Sequence, residues 1–386
     1  MPARRLQGRQ ARDPGRWRTR GRDQPRTRGG RDAVEHACGR ARRKDRAQRP
    51  RPRDLRADRA APARKGPGLR GHRRDRRLAD RDQRDLAHGH PGAGAVRRDQ
   101  CGRKDLAGHR GQARMSLVRP VLNAWLRYTE KPYLARVEEP EELRARFLRT
   151  ARLWFHAPPG TQVTHTVLAD RPARAVRARG VHPDAPVMLY FHGGAYIFGA
   201  PRTHQAMLGT LSALSGWQAI LPHYRLAPEH PFPAALDDAL AAYKALRARH
   251  ATIVVGGDSA GGGLALALLG EILAQGLPRP AGLFGFSSLT DLTYSGDSVT
   301  RNAEADVLLP LGRAAEQVEM YLQGADPTDP RASPLFADFT GAPPVWLCAG
   351  TTEALLDDTR RMAARMSAQV VSVTEVIAPD LPHVWP

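Results

Sequence analysis

The sequence predicts an α/β domain, built on a mostly parallel sheet of eight strands with helices on both faces. Beyond residue 115, short runs of consecutive apolar residues recur along the chain. Such runs are typical of strands buried on both faces, because a strand with one face in water alternates apolar and polar residues. Stretches with helical spacing of apolar residues lie between these runs. This alternation indicates parallel strands joined by helices.

The elements of this domain follow one another in a regular order. The predicted strands are residues 162–169, 173–178, 185–192, 218–223, 251–256, 281–287, 343–349 and 370–377. The predicted helices lie near 203–215, 233–250, 259–275, 312–323 and 354–368. Apolar residues also recur at helical spacing from Leu117 to Leu126, which predicts an amphipathic helix before the first strand. We therefore place one domain at residues 115–386.

The basic charge of the chain is confined to residues 1–114. The whole chain of 386 residues has a net charge of +21, and this segment holds 36 Lys and Arg against 13 Asp and Glu. The charges of residues 115–386 nearly balance, with 24 Lys and Arg against 26 Asp and Glu. The segment has six Leu and two Val but no Ile, Phe or Tyr, so it lacks the residues that build a core. We predict that it is disordered.

Three interpretations of this basic segment stay open. A disordered basic arm can bind nucleic-acid phosphates without sequence specificity, although Trp17 is its only aromatic residue for base stacking. The segment can also be a solvated tail without function. We favour the third interpretation, in which Met115 is the natural start and the upstream residues are translated in the wrong frame. Specific recognition of nucleic acid is not expected.

A serine motif joins a predicted strand to a predicted helix. Residues 257–261 read Gly-Asp-Ser-Ala-Gly, with the apolar run Thr252–Val255 before them. Glycines on both sides allow a sharp turn, which exposes the Ser259 hydroxyl at the C-terminal edge of the sheet. The motif makes Ser259 the candidate nucleophile. The alternative is an ordinary glycine-rich turn.

A second glycine-rich turn follows the strand 185–192. Fixed backbone N–H groups that face a developing oxyanion each lower the barrier to acyl transfer by about 3 kcal/mol. The expected donors of this oxyanion hole are Gly193, Gly194, Ala195 and Ala260. The alternative is a tight loop without a chemical role. His192 lies at the strand end, and we interpret it as a brace of the loop rather than as a base.

A histidine and an acid are expected beyond later strand ends, in the order serine, acid, histidine. His383 is the only histidine after Ser259, which makes it the candidate base. Glu353 lies nearest to the end of strand 343–349, and we prefer it as the orienting acid. Asp357 is the fallback acid, with capping or packing of the following helix as its alternative role.

Together these motifs resemble the hormone-sensitive-lipase group (family IV) of α/β-hydrolases, which are mostly bacterial carboxylesterases. The matching stretches are HGGAY (192–196), YRLAPEHPFPAALDDA (224–239), GGDSAGGGLA (256–265), SSLTDLTYSGDS (287–298), EALLDD (353–358) and PHVW (382–385). They occur in the family's order. The resemblance implies an α/β-hydrolase fold, helical cap segments that include residues 115–160, an acyl-enzyme mechanism, and neither a metal nor an organic cofactor.

The sequence departs from the family pattern at two places. The acid is usually Asp in the family, whereas Glu353 occupies the matching position here. A longer side chain can still reach the histidine. The family also continues past the histidine into a last helix, which this sequence lacks because it ends at Pro386.

The expected function is hydrolysis of short-to-medium-chain carboxylic esters through an acyl-enzyme on Ser259, with a small-molecule ester as the partner. An amidase or formamidase with the same triad is one alternative. The others are an inactive truncated remnant and a non-catalytic small-molecule binder. The sequence leaves the oligomeric state open, with a homodimer as one alternative.

The sequence features that bear on localisation favour the cytoplasm. No apolar segment of a signal peptide follows Met1, and no apolar run is long enough for a membrane span. Cys348 is the single cysteine of the domain, so no disulfide framework is expected.

Overall fold

The computed structural model of the chain describes residues 118–385, and the predicted disorder of residues 1–114 lies outside them. Eight strands form one sheet, and their order across it is β1-β2-β4-β3-β5-β6-β7-β8. In chain order the strands are β1 Gln162–Leu168, β2 Arg171–Arg177, β3 Val187–Phe191, β4 Gln218–Pro222, β5 Ile253–Asp258, β6 Gly282–Phe286, β7 Val345–Gly350 and β8 Val373–Ala378. All eight lie within a few residues of the predicted runs.

The sheet is parallel except at one side. β1 pairs with β2 and β2 pairs with β4 in antiparallel fashion. Every pair from β4 through β3, β5, β6 and β7 to β8 is parallel. The structure thus confirms the prediction of a mostly parallel sheet of eight strands, and it places the C-terminal ends of β3, β5, β6, β7 and β8 at one edge.

Nine α-helices lie in the described residues. They are α1 Val118–Trp125, α2 Lys131–Arg136, α3 Pro140–Trp154, α4 Pro201–Ser215, α5 Ala234–Arg247, α6 Ala260–Ala274, α7 Asp297–Arg301, α8 Ala314–Leu322 and α9 Leu356–Ala368. The short helix α7 was not among the predicted helices, because five residues are too few to show a helical period. No helix of residues 118–385 has the length and apolar character that a membrane span requires.

The two faces of the sheet are covered unequally. Side chains of a strand alternate between the faces. Leu189 of β3 therefore belongs to the apolar cluster that also contains residues of α5, α6 and α9, whereas Met188 belongs to the cluster of the other face with Leu208 of α4. The second face also carries an open apolar groove of about 420 Å³, lined in part by Phe284 and Trp346. Within residues 118–385 no helix follows β8.

The helices α1–α3 form a layer over the C-terminal edge of the sheet. Lys131 donates to the carbonyl oxygens of Ala303 (2.9 Å) and Asp306 (2.6 Å). Arg144 of α3 donates to the carbonyl oxygen of Ile197 (2.8 Å) in the loop after β3. On the other side of this layer, Tyr321 of α8 stacks on Tyr196 with ring centroids 3.9 Å apart. These contacts form the helical cap.

The central helix α6 should be the most sensitive to loss of apolar volume. Leu266 is fully buried, so Leu266→Ala should lower the free energy of unfolding by about 2–5 kcal/mol. The matched control is Leu214→Ala in α4, which is 80% exposed and should cost about 0.5 kcal/mol or less. Urea denaturation followed by circular dichroism measures both values. Equal losses for the two variants would contradict this packing.

Candidate active site

Four loops bring the predicted site residues to one edge of the sheet. Ser259 follows β5, and the glycine-rich loop at 192–200 follows β3. These two strands are parallel neighbours, with Phe191 opposite Gly257, so the turn and the loop lie side by side. Glu353 follows β7 and His383 follows β8. Ligands of parallel sheets bind at the C-terminal ends of strands where the strand order reverses, and β3 between β4 and β5 is such a point.

Ser259 lies at the apex of a strained turn between β5 and α6. Its φ of 51° and ψ of −123° are unusual for a residue with a side chain. Its N–H donates to the carbonyl oxygen of Phe286 (2.9 Å), and its carbonyl accepts from the N–H of Leu289 (2.9 Å). A Cβ at Gly261 would collide with the backbone of Phe191 and His192, so only glycine fits there. The loop after β6 thus holds the strained serine in place.

A buried hydrogen bond joins His383 to Glu353. His383 Nδ1 lies 2.9 Å from Glu353 Oε2, and the glutamate is fully buried. Because a carboxylate can only accept, the Nδ1–H donates, and Nε2 of the neutral ring is left as a base. Glu353 Oε1 accepts from Ser287 Oγ (2.9 Å) and from the N–H of Gly350. Three donors therefore satisfy the buried carboxylate.

The second ring nitrogen of His383 is free to accept a proton. Nε2 is buried, and it has no hydrogen-bond partner among residues 118–385, Ser259 Oγ included. Burial lowers the pKa of His383, but the hydrogen bond and the charge of Glu353 raise it more, so the pKa lies above the ordinary value of 6.5. Glu353 therefore makes the ring a stronger base than an ordinary histidine.

Asp357, the fallback acid, contacts residues of α7 and makes no hydrogen bond to His383. Its Oδ2 accepts from the N–H of Ser298 at 2.7 Å, and its Oδ1 faces the Arg301 guanidinium at 3.3 Å. It thereby joins the start of α9 to α7. Of the two carboxylates, the structure places Glu353 on His383 and gives Asp357 a packing role.

The expected oxyanion donors fall into two groups. The N–H groups of Gly194, Ala195 and Ala260 have no acceptor among residues 118–385. Gly193 differs from the prediction, because its N–H donates to Asp258 Oδ1 at 3.0 Å and is not available to a substrate oxygen. A Cβ on Gly193 would also lie 3.1 Å from Ser259 Cβ, so the loop packs directly against the serine.

Asp258 is a buried anchor that the sequence interpretation missed. Besides the Gly193 N–H, its carboxylate accepts from Tyr190 Oη at 2.8 Å and contacts His204 Nε2 at 3.2 Å. Burial raises the pKa of Asp258, but the charge and hydrogen bond of His204 and the hydrogen bond of Tyr190 lower it by more. The pKa therefore lies below the ordinary value of an aspartate, and the group stays ionised. The position next to Ser259 was the only sequence signal for this role.

His192 braces the loop, in agreement with the sequence interpretation. Its Nδ1 lies 2.8 Å from the carbonyl oxygen of Gly193, and its ring stacks on Tyr224 with centroids 4.4 Å apart. Tyr224 Oη donates to the His192 carbonyl oxygen at 2.7 Å. Burial and the nearby ring of His204 lower the pKa of His192 to about 3. A ring with this pKa stays neutral and does not serve as a base near neutral pH.

Ser287 and Asn302 hold the loops of the acid and the histidine, and sequence reasoning missed both. Ser287 Oγ donates to Glu353 and accepts from the N–H of Val384 at 3.0 Å, so it links the two loops. Asn302 Nδ2 donates to the carbonyl oxygen of Glu353 at 2.7 Å. The position of Ser287 directly after β6, at the same sheet edge, is the signal that could have identified it.

The arrangement is suited to acyl transfer. A serine hydroxyl lies at a strained turn, a buried histidine is oriented by a carboxylate, and three amide N–H groups beside the serine have no acceptor. No cluster of three His, Cys, Asp or Glu side chains within residues 118–385 is able to hold a metal ion.

Comparisons with known proteins give consistent matches. A family described as the alpha/beta hydrolase fold matches residues 188–386. An acetyl-hydrolase of Streptomyces hygroscopicus is 38% identical over 234 residues, which are 59% of this chain and 76% of that protein. An esterase of Acinetobacter venetianus is 36% identical over 238 residues, or 61% and 78% of the two chains. The crystal structure of a hormone-sensitive lipase from a metagenome library matches with 38% identity and a TM-score of 0.65, over 69% of this chain and 89% of that chain.

The effect of Glu353 on the pKa of His383 can be measured by NMR titration. Glu353→Gln removes the negative charge that raises the pKa of His383 while burial still lowers it, so the pKa should fall. The matched control is Asp357→Asn, which should leave the pKa of His383 where it is, because Asp357 faces Ser298 and Arg301. An unchanged His383 pKa in the Glu353 variant would show that the contact does not persist in solution.

Proposed function

The chain belongs to the α/β-hydrolase fold family, in its hormone-sensitive-lipase group of esterases, and from this membership we propose that Ser259, Glu353 and His383 form its catalytic triad. The enzyme is a carboxylesterase-type hydrolase. The observation that supports the triad best is the buried contact of 2.9 Å between His383 Nδ1 and Glu353 Oε2. It leaves Nε2 as the proton acceptor at the sheet edge where the strained serine lies.

The first half of the reaction forms the acyl-enzyme. Ser259 Oγ attacks the ester carbonyl carbon while His383 Nε2 takes the hydroxyl proton. The charge that develops on the carbonyl oxygen is bound by the N–H groups of Gly194, Ala195 and Ala260. His383 then gives its proton to the leaving alcohol oxygen as the bond from carbon to that oxygen breaks.

The second half releases the acid. Water loses a proton to His383 Nε2 and attacks the acyl carbon, and the same amide groups bind the second oxyanion. The tetrahedral species then breaks its bond to Ser259 Oγ, which takes the proton back. Both halves require a hydrogen bond between Ser259 Oγ and His383 Nε2, and such bonds often form fully only in the substrate complex.

The pH dependence follows from the protonation state of the base. His383 works only when Nε2 is unprotonated, so kcat/KM falls as the pH drops through the pKa of His383. Because Glu353 raises that pKa, the fall begins at a higher pH than it would for an ordinary histidine.

The proposed substrates are short-to-medium-chain carboxylic esters. One curated relative is named an acetyl-hydrolase and others are named esterases or carboxylesterases, which favours esters with small acyl groups. The triad alone does not distinguish an ester from an amide, because the same steps cleave both.

Replacement of the serine tests the nucleophile. Ser259→Ala removes the attacking oxygen, so hydrolysis of p-nitrophenyl acetate should fall by about 1,000-fold or more while circular dichroism stays unchanged. Ser215→Ala at the end of α4 is the matched control, since that hydroxyl bonds only local backbone, and it should keep full activity. Retained turnover in the Ser259 variant would exclude the acyl-enzyme mechanism.

A substrate panel tests the chemical class. The value of kcat/KM should be higher for p-nitrophenyl butyrate than for p-nitrophenyl palmitate, and higher for both esters than for a matched arylamide or an N-formyl compound. A preference for the arylamide or the N-formyl compound would make the protein an amidase or formamidase. If no compound is turned over while one still binds, the protein is a non-catalytic binder.

A further inference from the structure

Four arginine side chains line an open surface cavity outside the proposed catalytic residues, and three of them, Arg149, Arg152 and Arg202, are exposed. The cavity has a volume of about 320 Å³ and lies between the cap helix α3, strand β2 and the start of α4. Its charged lining residues are Arg149 and Arg152 of α3, Arg174 of β2 and Arg202 of α4, with His223 beside them. No carboxylate is part of this lining. The cavity therefore concentrates positive charge.

No carboxylate of residues 118–385 neutralises the charges of these arginines. Eight other arginines of residues 118–385 form ion pairs with Asp or Glu, and none of the four is among them. Arg174 donates to the neutral Gln205 Oε1 at 3.0 Å. The guanidinium groups of Arg149, Arg152 and Arg202 make no hydrogen bond to residues 118–385, so no described residue occupies their five N–H donors.

Burial and the positive charges of nearby arginines lower the pKa values of Arg174 and His223. Burial lowers the pKa of Arg174, and the charge of Arg202 lowers it further. Burial also lowers the pKa of His223, with the charges of Arg144 and Arg174 adding to the effect, so this ring is neutral near pH 7. Like charges that repel one another in this way are stabilised when an anion binds between them.

The start of α4 adds to the positive potential. Pro201 and Arg202 form the first turn of this helix of 15 residues, and both line the cavity. The N-terminal end of a helix carries a partial positive charge that favours anions, within about one turn of the end. The helix end therefore adds to the positive potential that the four arginines create in the cavity.

We propose that this arginine pocket, formed by Arg149, Arg152, Arg174 and Arg202, binds a phosphate group of a phosphate ester or diphosphate. The planar guanidinium group binds phosphate oxygens in pairs, which suits it to this ligand better than to a halide or other spherical anion. A ligand with two or more negative charges also neutralises several arginines at once, whereas a single carboxylate leaves most of them uncompensated.

Two sources can supply this phosphate group. One is a soluble phosphate compound, and the other is the headgroup of a membrane lipid. Leu153, Trp154 and Phe155 follow Arg152 directly and are 68%, 70% and 51% exposed. Exposed aromatic and aliphatic side chains beside arginines are typical of surfaces that contact the lipid interface, so the experiment includes both sources.

The first arm of the test uses soluble pyrophosphate. Isothermal titration of the full chain should detect binding that weakens about tenfold or more in the double variant Arg152→Ala/Arg202→Ala, because two charge-assisted contacts are lost. The matched control is Arg360→Ala, an exposed arginine of α9 outside the pocket. Residues 1–114 are the same in every variant, so their contribution cancels in the comparison. Ester hydrolysis by the double variant verifies that it is folded.

The second arm uses vesicles of phosphatidylcholine with and without phosphatidic acid. Co-sedimentation that requires phosphatidic acid, and that is reduced in the double variant and by Trp154→Ala, assigns the site to a lipid headgroup. Pyrophosphate binding without such co-sedimentation assigns it to a soluble compound. The proposal is overturned if neither probe binds, or if the double variant binds both probes as well as the Arg360 control does.

Discussion

The buried hydrogen bond between Glu353 and His383 is the interaction on which the rest of the site depends. A carboxylate that is fully removed from water is strongly destabilising unless donors replace its hydration. Glu353 has three such donors, and they come from loops after three different strands: Ser287 after β6, Gly350 at the end of β7 and His383 after β8. The three loops must therefore fold against one another before the carboxylate is satisfied, and this requirement fixes the position of the histidine.

A second buried carboxylate organises the other half of the site in the same way. Asp258 binds Tyr190, the N–H of Gly193 and His204, which belong to β3, the loop after it and α4. It lies next to Ser259, so the residue that precedes the proposed nucleophile also anchors the glycine-rich loop after β3. Preorganised donors stabilise a developing charge because they do not have to reorient during the reaction. Two carboxylates thus position His383 and the loop of Gly194 and Ala195, which are the proposed base and the proposed oxyanion donors.

The helix α4 lies on the less covered face of the sheet and also reaches the arginine pocket. One face of the sheet is packed by α5, α6 and α9, whereas the other is packed by α4 and has an open apolar groove beside it. At its other end α4 contributes Arg202 to the pocket whose four arginines pair with no carboxylate of residues 118–385. One helix therefore borders both the apolar groove and the arginine pocket. The strained serine turn lies at the sheet edge, where backbone hydrogen bonds to Phe286 and Leu289 hold it.

The amino-acid sequence by itself determined the order of the elements and the sharp turn at Ser259, and it left His383 as the single candidate histidine after that serine. These features depend on neighbours along the chain: apolar runs specify strands, glycines permit the turn, and only one histidine follows the serine. The choice between Glu353 and Asp357 as the partner of the histidine was open in the sequence, because only three residues lie between these two carboxylates and both follow β7. Tertiary structure decided it, since α9 begins at Leu356 and turns Asp357 toward α7. Tertiary structure also decided that the N–H of Gly193 is bound by Asp258. It likewise brought together the members of the arginine pocket, which lie up to 53 residues apart in the chain. Packing decides contacts between distant residues, and no local pattern in the chain records it.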